Sequence, residues 1–339
     1  MSFHLAVALD RQGWQPGRSD PAPVFTAGWW TRLAREADAA RLDFVTIEDS
    51  FGPPETGSAR PDAVLVAARL APVTRHIGLV PVATTTHTEP FHLSTALATV
   101  DHVSGGRAGW QVRVSGRPDE AALLGRRDPL GVEELFAEAA DAVEVVRRLW
   151  DSWQDDAVIK DAATGRFIDR DRLHYIDFDG PHFSVKGPSI VPRPPQGQPV
   201  VAALAPTTEV LEFAARVADL AFVTPGLGAA PPPAPASLKL LIDLVVRLEP
   251  GDPPAPSDAA TFAGTPEQLA DLLADWHDLG ADGFRLRPAR LPEDLELIGR
   301  RLVPLLRERG RWEPHQGSLR GRLGLAPAAN RYQAGARVA

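Results

Sequence analysis

"SGGRAGWQVRVSG", Ser104 to Gly116, sets glycines around an arginine, the composition of a loop that cradles a phosphate. Such a loop follows a strand and opens a helix, so that backbone N–H groups and the helix dipole converge on the anion. Here the order is reversed. Phe91, Leu93, Leu97, Val100 and Val103 make a helical pattern before the glycines, and the strand-like run Ala108 to Val114 follows them. The glycines therefore end a helix and turn the chain into a strand. Working outward from this turn, apolar runs of strand length alternate with helical patterns along almost the whole chain, the mark of βα repetition and a parallel sheet.

The candidate strands are Leu5 to Leu9, Phe44 to Glu48, Ile77 to Ala83, Ala108 to Val114, Val200 to Leu204, Leu220 to Thr224, Leu238 to Leu244 and Gly283 to Arg287. Trp29, Trp30, Leu33, Ala34 and Ala37 give one outer helix its apolar stripe, and Val210, Leu211, Phe213, Ala214 and Val217 give another. Eight such units predict an α/β protein with a (β/α)8 TIM barrel, whose site lies at the carboxyl ends of the strands. Two units depart from the pattern. Between the sixth and seventh strands "PGLGAAPPPAPAS" is too short and too rich in proline for a helix, so the sixth helix is missing and the flank is exposed or otherwise covered. After the fourth helix comes an excursion over 153–198, with "LHYIDFDGPHFSVKG" predicting a hairpin around Asp179 and Gly180. Residues 1–310 form one barrel domain in this reading, and 311–339 a polar C-terminal tail.

The 339 residues carry a formal net charge of -8 and no cysteine. That balance offers no basic footprint for nucleic acid or an anionic membrane surface, and it removes disulfides, thiol nucleophiles and thiolate metal sites. The start "MSFHLAVALDRQG" has no charged region followed by a long apolar stretch, which makes the cytoplasm the expected compartment. No metal site is expected, because His87 and His92, or His174 and His182, do not fall on one helical face.

Strand ends supply the candidate residues. Asp49 in "TIEDS" is either a ligand contact or a helix cap. Thr84, Thr85 and Thr86 offer hydroxyls at the end of the third strand, and His87 can exchange a proton near neutral pH. On the fourth strand Trp110, Val112 and Val114 face one way, and Gln111 and Arg113 the other. The alternation leaves both directions open, into the barrel or toward the helices.

Three long phrases carry a family resemblance: "HIGLVPVATTTHTEPFHLSTALATVDHVSGGRAGWQV", then "VEVVRRLWDSWQDDAVIKDAATGRFIDRDRLHYIDFDGPHFSVKGPSIVPRPPQGQPVV", then "LEFAARVAD". Together with "GTPEQLADLLADWHDLGADGF" they resemble the bacterial luciferase-like flavin-dependent monooxygenases, in particular the nitrilotriacetate and dibenzothiophene-sulfone monooxygenase branch. The resemblance implies a barrel that receives reduced FMN from a separate flavin reductase, uses O2 to oxygenate a small organic substrate, and assembles as a homodimer. It implies cofactor contacts at Asp49, Thr84 and Thr207, with His87 and Gln111 as catalytic candidates on the substrate side. It also exposes departures. Where the family's phosphate site has His and Arg-Tyr at the start of the long helix, this chain has Val132, Leu135 and Phe136, and the glycines after the fifth strand are gone. The segment before "GTPEQ" that roofs the site is shortened, with the prolines of 249–258 in its place. A second reading follows from these losses: a divergent barrel without catalysis, which has lost FMN and serves as a partner subunit or binds another ligand. A third is use of another flavin or deazaflavin.

Overall fold

Eight parallel strands close into a barrel in a computed structural model that describes residues 2–10, 12–14, 24–52, 59–248, 254 and 257–333. In chain order the barrel strands are His4–Ala8, Phe44–Ile47, Gly78–Thr84, Gly109–Arg113, Val200–Ala205, Leu220–Val223, Lys239–Arg247 and Gly283–Pro288. Each pairs with its neighbour in sequence, and the eighth pairs with the first to complete the circle. The expected eight strands are thus all present, and the extra strand Ala260–Ala263 pairs with the carboxyl half of the seventh.

The helices are α1 (Ala27–Ala39), α2 (Ala63–Leu70), α3 (Pro90–Ser104), α4 (Pro118–Leu124), α5 (Val132–Asp151), α6 (Thr208–Val217), α7 (Pro266–Asp278), α8 (Glu293–Leu297), α9 (Val303–Glu308) and α10 (Leu319–Arg322). Alternation on the strands decides which residues meet them. Trp110 of the fourth strand packs outward with Leu97 of α3 and with Val143, Val146 and Trp150 of α5. Gln111 and Arg113 therefore face the barrel interior.

The glycine turn is structural. Gly105 ends α3 at φ +69° and Gly106 follows at φ +81°, a left-handed backbone that glycine adopts without steric cost. Arg107 donates to the carbonyls of Ser104, Ile77 and Ala71 at 2.7, 2.7 and 2.9 Å and to the Thr74 hydroxyl at 3.0 Å. Its guanidinium is consumed by the protein's own oxygens, so it ties α2 and α3 to the third strand and cradles no phosphate.

Between the sixth and seventh strands there is no helix, as the prolines predict. The flank is nonetheless not exposed. Ala221, Val223, Leu240 and Ile242 are each at most 5% exposed. Trp276 of α7, fully buried, donates its indole N–H to the Ala229 carbonyl at 2.8 Å and so holds the proline segment down. The excursion contains the expected hairpin, Phe178–Asp179 against Ser184–Val185, and a second, Val158–Asp161 against Arg166–Ile168. Ile176 and Val185 anchor the first on Val145 and Leu149 of α5. Most of the proline segment 249–258 lies outside the described residues.

Packing does not stop at residue 310. Leu319 and Leu323, both fully buried, enter the barrel's amino-terminal mouth and join Phe44, Val80, Val200 and Leu241 in one apolar cluster. Burial of side chains this size contributes about 2 kcal/mol each. Glycine at the strand start makes the room: a Cβ on Gly78 would stand 2.8 Å from Leu319 and 2.8 Å from the Phe44 Cβ. Further on, Asn330 donates to the carbonyls of Asp151 and Trp153, and Tyr332 stacks on His174.

At this mouth the buried Arg322 guanidinium faces His76 Nε2 at 3.1 Å. Burial, with the Arg322 and Arg41 charges, pushes the His76 pKa down to about 4. The unfolded chain therefore takes up a proton at this residue before the folded one does, and stability falls as pH drops from about 6.5 toward 4, by up to about 3 kcal/mol. His76→Gln keeps an acceptor for Arg322 and removes the titration. Chemical unfolding at pH 7 and pH 4.5 should show a smaller loss in the variant than in the parent; equal losses would refute the assignment.

Candidate functional site

The carboxyl ends of the strands hold a charged layer above the apolar one. The eighth strand reads "GFRLRP", with Phe284 and Leu286 packed outward and Arg285 and Arg287 turned inward. Arg285 and Asp243 are register partners on the eighth and seventh strands and form two parallel hydrogen bonds of 2.7 Å. Asp243 is fully buried. Arg285 also donates to the Gln111 Oε1 at 2.7 Å, across to the fourth strand, and lies 3.9 Å over the Phe222 ring. Arg287 reaches Asp243 and Asp258 at 3.1 Å each and stacks 3.8 Å over Trp14. Near the rim Arg113 pairs with Glu48 and donates to the Asp49 carbonyl. Burial and the neighbouring Asp10 carboxylate raise the Glu48 carboxyl above its ordinary range, against the pull of Arg113, Arg285 and Arg287.

The residues singled out from the sequence are distributed over this rim. Asp49 spends its carboxylate on the backbone N–H groups of Ser50 and Ala63, at 2.8 and 2.9 Å, and so caps the entry to α2. Burial raises its pKa and those two hydrogen bonds oppose the rise. Thr84 ends the third strand, buried, beside Arg113 in register. Thr85 and Thr86 knit this end to the fourth strand, Thr85 through the Arg113 carbonyl and Thr86 by accepting the Ser115 N–H at 3.0 Å. His87 sits at φ +63°, in the left-handed region, with both ring nitrogens buried and without a hydrogen-bond partner among the described residues. Burial and the Arg127 and Arg126 charges hold its pKa below the ordinary histidine value, so the ring is neutral at pH 7 with one donor and one acceptor to offer.

Thr207 lies apart from these, at the exposed start of α6, where its hydroxyl accepts from the Val210 N–H. Val132 is exposed at the first position of α5, and Phe136 packs 4.9 Å from Phe213 of α6. Acidic residues occupy both first turns, Glu133 and Glu134 on α5 and Glu209 on α6. An anion at these helix starts meets N–H groups and one hydroxyl but also carboxylates, so it is held weakly.

Sequence reasoning missed Asp10, Glu48, Asp243, Arg285 and Arg287. The signal for two of them was present, since arginine alternating with apolar residues on a barrel strand places both arginines on one face.

Removing one member of a buried pair leaves the other charge without compensation, which costs about 3–5 kcal/mol. Asp243→Asn should destabilise the protein by that order in urea unfolding. The double variant Asp243→Leu with Arg285→Met should recover most of the loss; additive losses would refute the pair as the source.

The sequence pattern of the family described as luciferase-like monooxygenase matches residues 1–232. N-acetyl-S-(2-succino)cysteine monooxygenase of Bacillus subtilis is 30% identical, over 90% of this chain and 91% of that protein. One of the subunits of pristinamycin IIA synthase from Streptomyces pristinaespiralis is 34% identical, over 80% of this chain and 87% of that protein. In structure the chain is similar to EDTA monooxygenase from Chelativorans sp. BNC1, with a TM-score of 0.82, 24% identity, and coverage of 96% of this chain and 99% of that one. A closed eight-stranded barrel, its inward polar layer at the carboxyl ends and these matches along its length agree, and the chain belongs to the luciferase-like monooxygenase family.

Proposed function

We propose that the protein is a flavin-dependent monooxygenase that takes reduced FMN from a separate flavin reductase and oxygenates a small organic substrate with O2. The observation that carries this reading is His87, which follows the Thr84–Thr86 hydroxyls on the rim and has two buried ring nitrogens with no hydrogen-bond partner among the described residues. A buried imidazole without partners costs free energy that a bound ligand recovers. Thr84, His87 and Gln111 offer hydrogen-bonding groups of the kind that would hold a flavin. When bound, reduced flavin supplies the two electrons that O2 needs in order to place one oxygen atom in the substrate.

The chain's own residues act around that chemistry. Thr84 would offer its hydroxyl to the flavin, and Asp49 fixes the loop after the second strand through the Ser50 and Ala63 N–H groups. Neutral His87 donates or accepts one hydrogen bond on the substrate side. Gln111 has its amide fixed by Arg285, so it orients a substrate group without first reorganising. Thr207 and the first N–H groups of α6 would hold the phosphate. With carboxylates nearby and apolar side chains at Val132 and Phe136, that grip suits a cofactor taken up and released each turnover.

One observation favours a second reading, a partner subunit with little or no flavin of its own. The relative with 34% identity is one component of a synthase with more than one kind of chain, and the phosphate end of this chain is poor in donors. A single anaerobic titration separates the two. Reduced FMN should bind the purified protein with micromolar affinity, and Thr84→Val should weaken it about tenfold, the worth of one hydrogen bond. No binding of reduced or oxidised FMN would refute the monooxygenase reading and leave a barrel that serves as a partner subunit or binds another ligand.

A further inference from the structure

At the amino-terminal mouth, opposite the charged rim, three donors from distant parts of the chain meet. His4 opens the first strand, Asp43 immediately precedes the second, and His315 belongs to the C-terminal segment. One donor atom from each lies within 4.8 Å of the others. His315 Nδ1 is 3.1 Å from one Asp43 oxygen, and His4 Nδ1 is 3.8 Å from the other. Asp43 is fully buried and His4 is 8% exposed. The Nδ1 of His4 is buried and makes no hydrogen bond, while the carboxylate oxygen it faces already accepts the Leu5 N–H at 2.8 Å. Nothing among the described residues satisfies that nitrogen.

We propose that His4, Asp43 and His315 bind one divalent transition-metal cation of the zinc class, through the two Nδ1 atoms and an Asp43 oxygen, with water in the fourth position. Tetrahedral zinc with bonds of about 2.0–2.1 Å sets its ligand atoms about 3.3 Å apart. The His315 Nδ1 lies 3.1 Å from one Asp43 oxygen, close to that value, and the three donor atoms lie within 4.8 Å of one another, so side-chain rotation about His4 and Asp43 completes the site. Two imidazoles and one carboxylate select zinc, cobalt or nickel over calcium and magnesium, which require oxygen donors. The Leu5 N–H fixes the carboxylate from behind, the role of an outer partner in metal sites.

The cation has a structural consequence. His315 is 272 residues from Asp43 and lies just before the Leu319 and Leu323 plug, so a bound metal cross-links the C-terminal segment to the strand starts. Because the ligands come together only in the folded chain, binding energy adds to folding stability.

The test uses the full-length protein without a tag, stripped with EDTA and returned to metal-free buffer. Titration calorimetry with Zn(II) should give one equivalent at micromolar affinity or tighter, and Co(II) should develop the visible bands of a four-coordinate ion. His315→Ala, on a partly exposed segment, should weaken zinc at least about tenfold and abolish the cobalt bands. His4→Gln should do the same, and His92→Ala, at an exposed position on α3, should change nothing. Each variant is first checked for parental circular dichroism. Absence of zinc binding in the parent, or unchanged affinity in both ligand variants, would overturn the proposal.

Discussion

A buried carboxylate between two arginines organises this barrel. Asp243 is fully buried, and its two 2.7 Å bonds to Arg285 require the seventh and eighth strands to hold one register. Taking such charges out of water costs several kcal/mol per ion, and only near-ideal geometry with further hydrogen bonds offsets it. Gln111 of the fourth strand and Phe222 of the sixth contact Arg285 from other parts of the circle, and Arg287 of the eighth strand, stacked on Trp14, adds a bond to Asp243. The pair is therefore satisfied only when the barrel is closed.

That requirement divides the interior into two layers. The lower one is apolar, with Phe44, Val80, Leu220 and Leu241 sealed by Leu319 and Leu323 from the C-terminal segment. The upper one is a network of fixed charges whose rim carries Thr84, His87 and Glu48. A site built on such walls is preorganised, since its dipoles are already oriented by hydrogen bonds before a ligand arrives. The helix starts beyond the rim lack this support. They present N–H groups among carboxylates, Glu133 and Glu134 on α5 and Glu209 on α6.

Much of this was legible in the sequence. Eight apolar runs appear as eight strands because each strand is buried on both faces, which leaves a strong local signal. The prolines after the sixth strand correctly exclude a helix, and Asp179-Gly180 correctly marks a hairpin. The flank beside the missing helix was less legible, because its cover is a contact between Trp276 and Ala229, far apart in the chain. Asp49 looks the same in sequence whether it binds a ligand or caps α2. Only the nearness of the Ser50 and Ala63 N–H groups distinguishes the two.

By itself the sequence determined the element order, the parallel barrel and the turn identity of Gly105 and Gly106, since these follow from local periodicity and backbone sterics. Tertiary structure alone decided that Gln111 and Arg113 face inward, that Arg285 finds Asp243, that residues after 310 plug the barrel, and that His4, Asp43 and His315 converge. The physical reason is range: alternation fixes which side chains share a face, but closure of the sheet fixes which face is inside and which distant partners meet there.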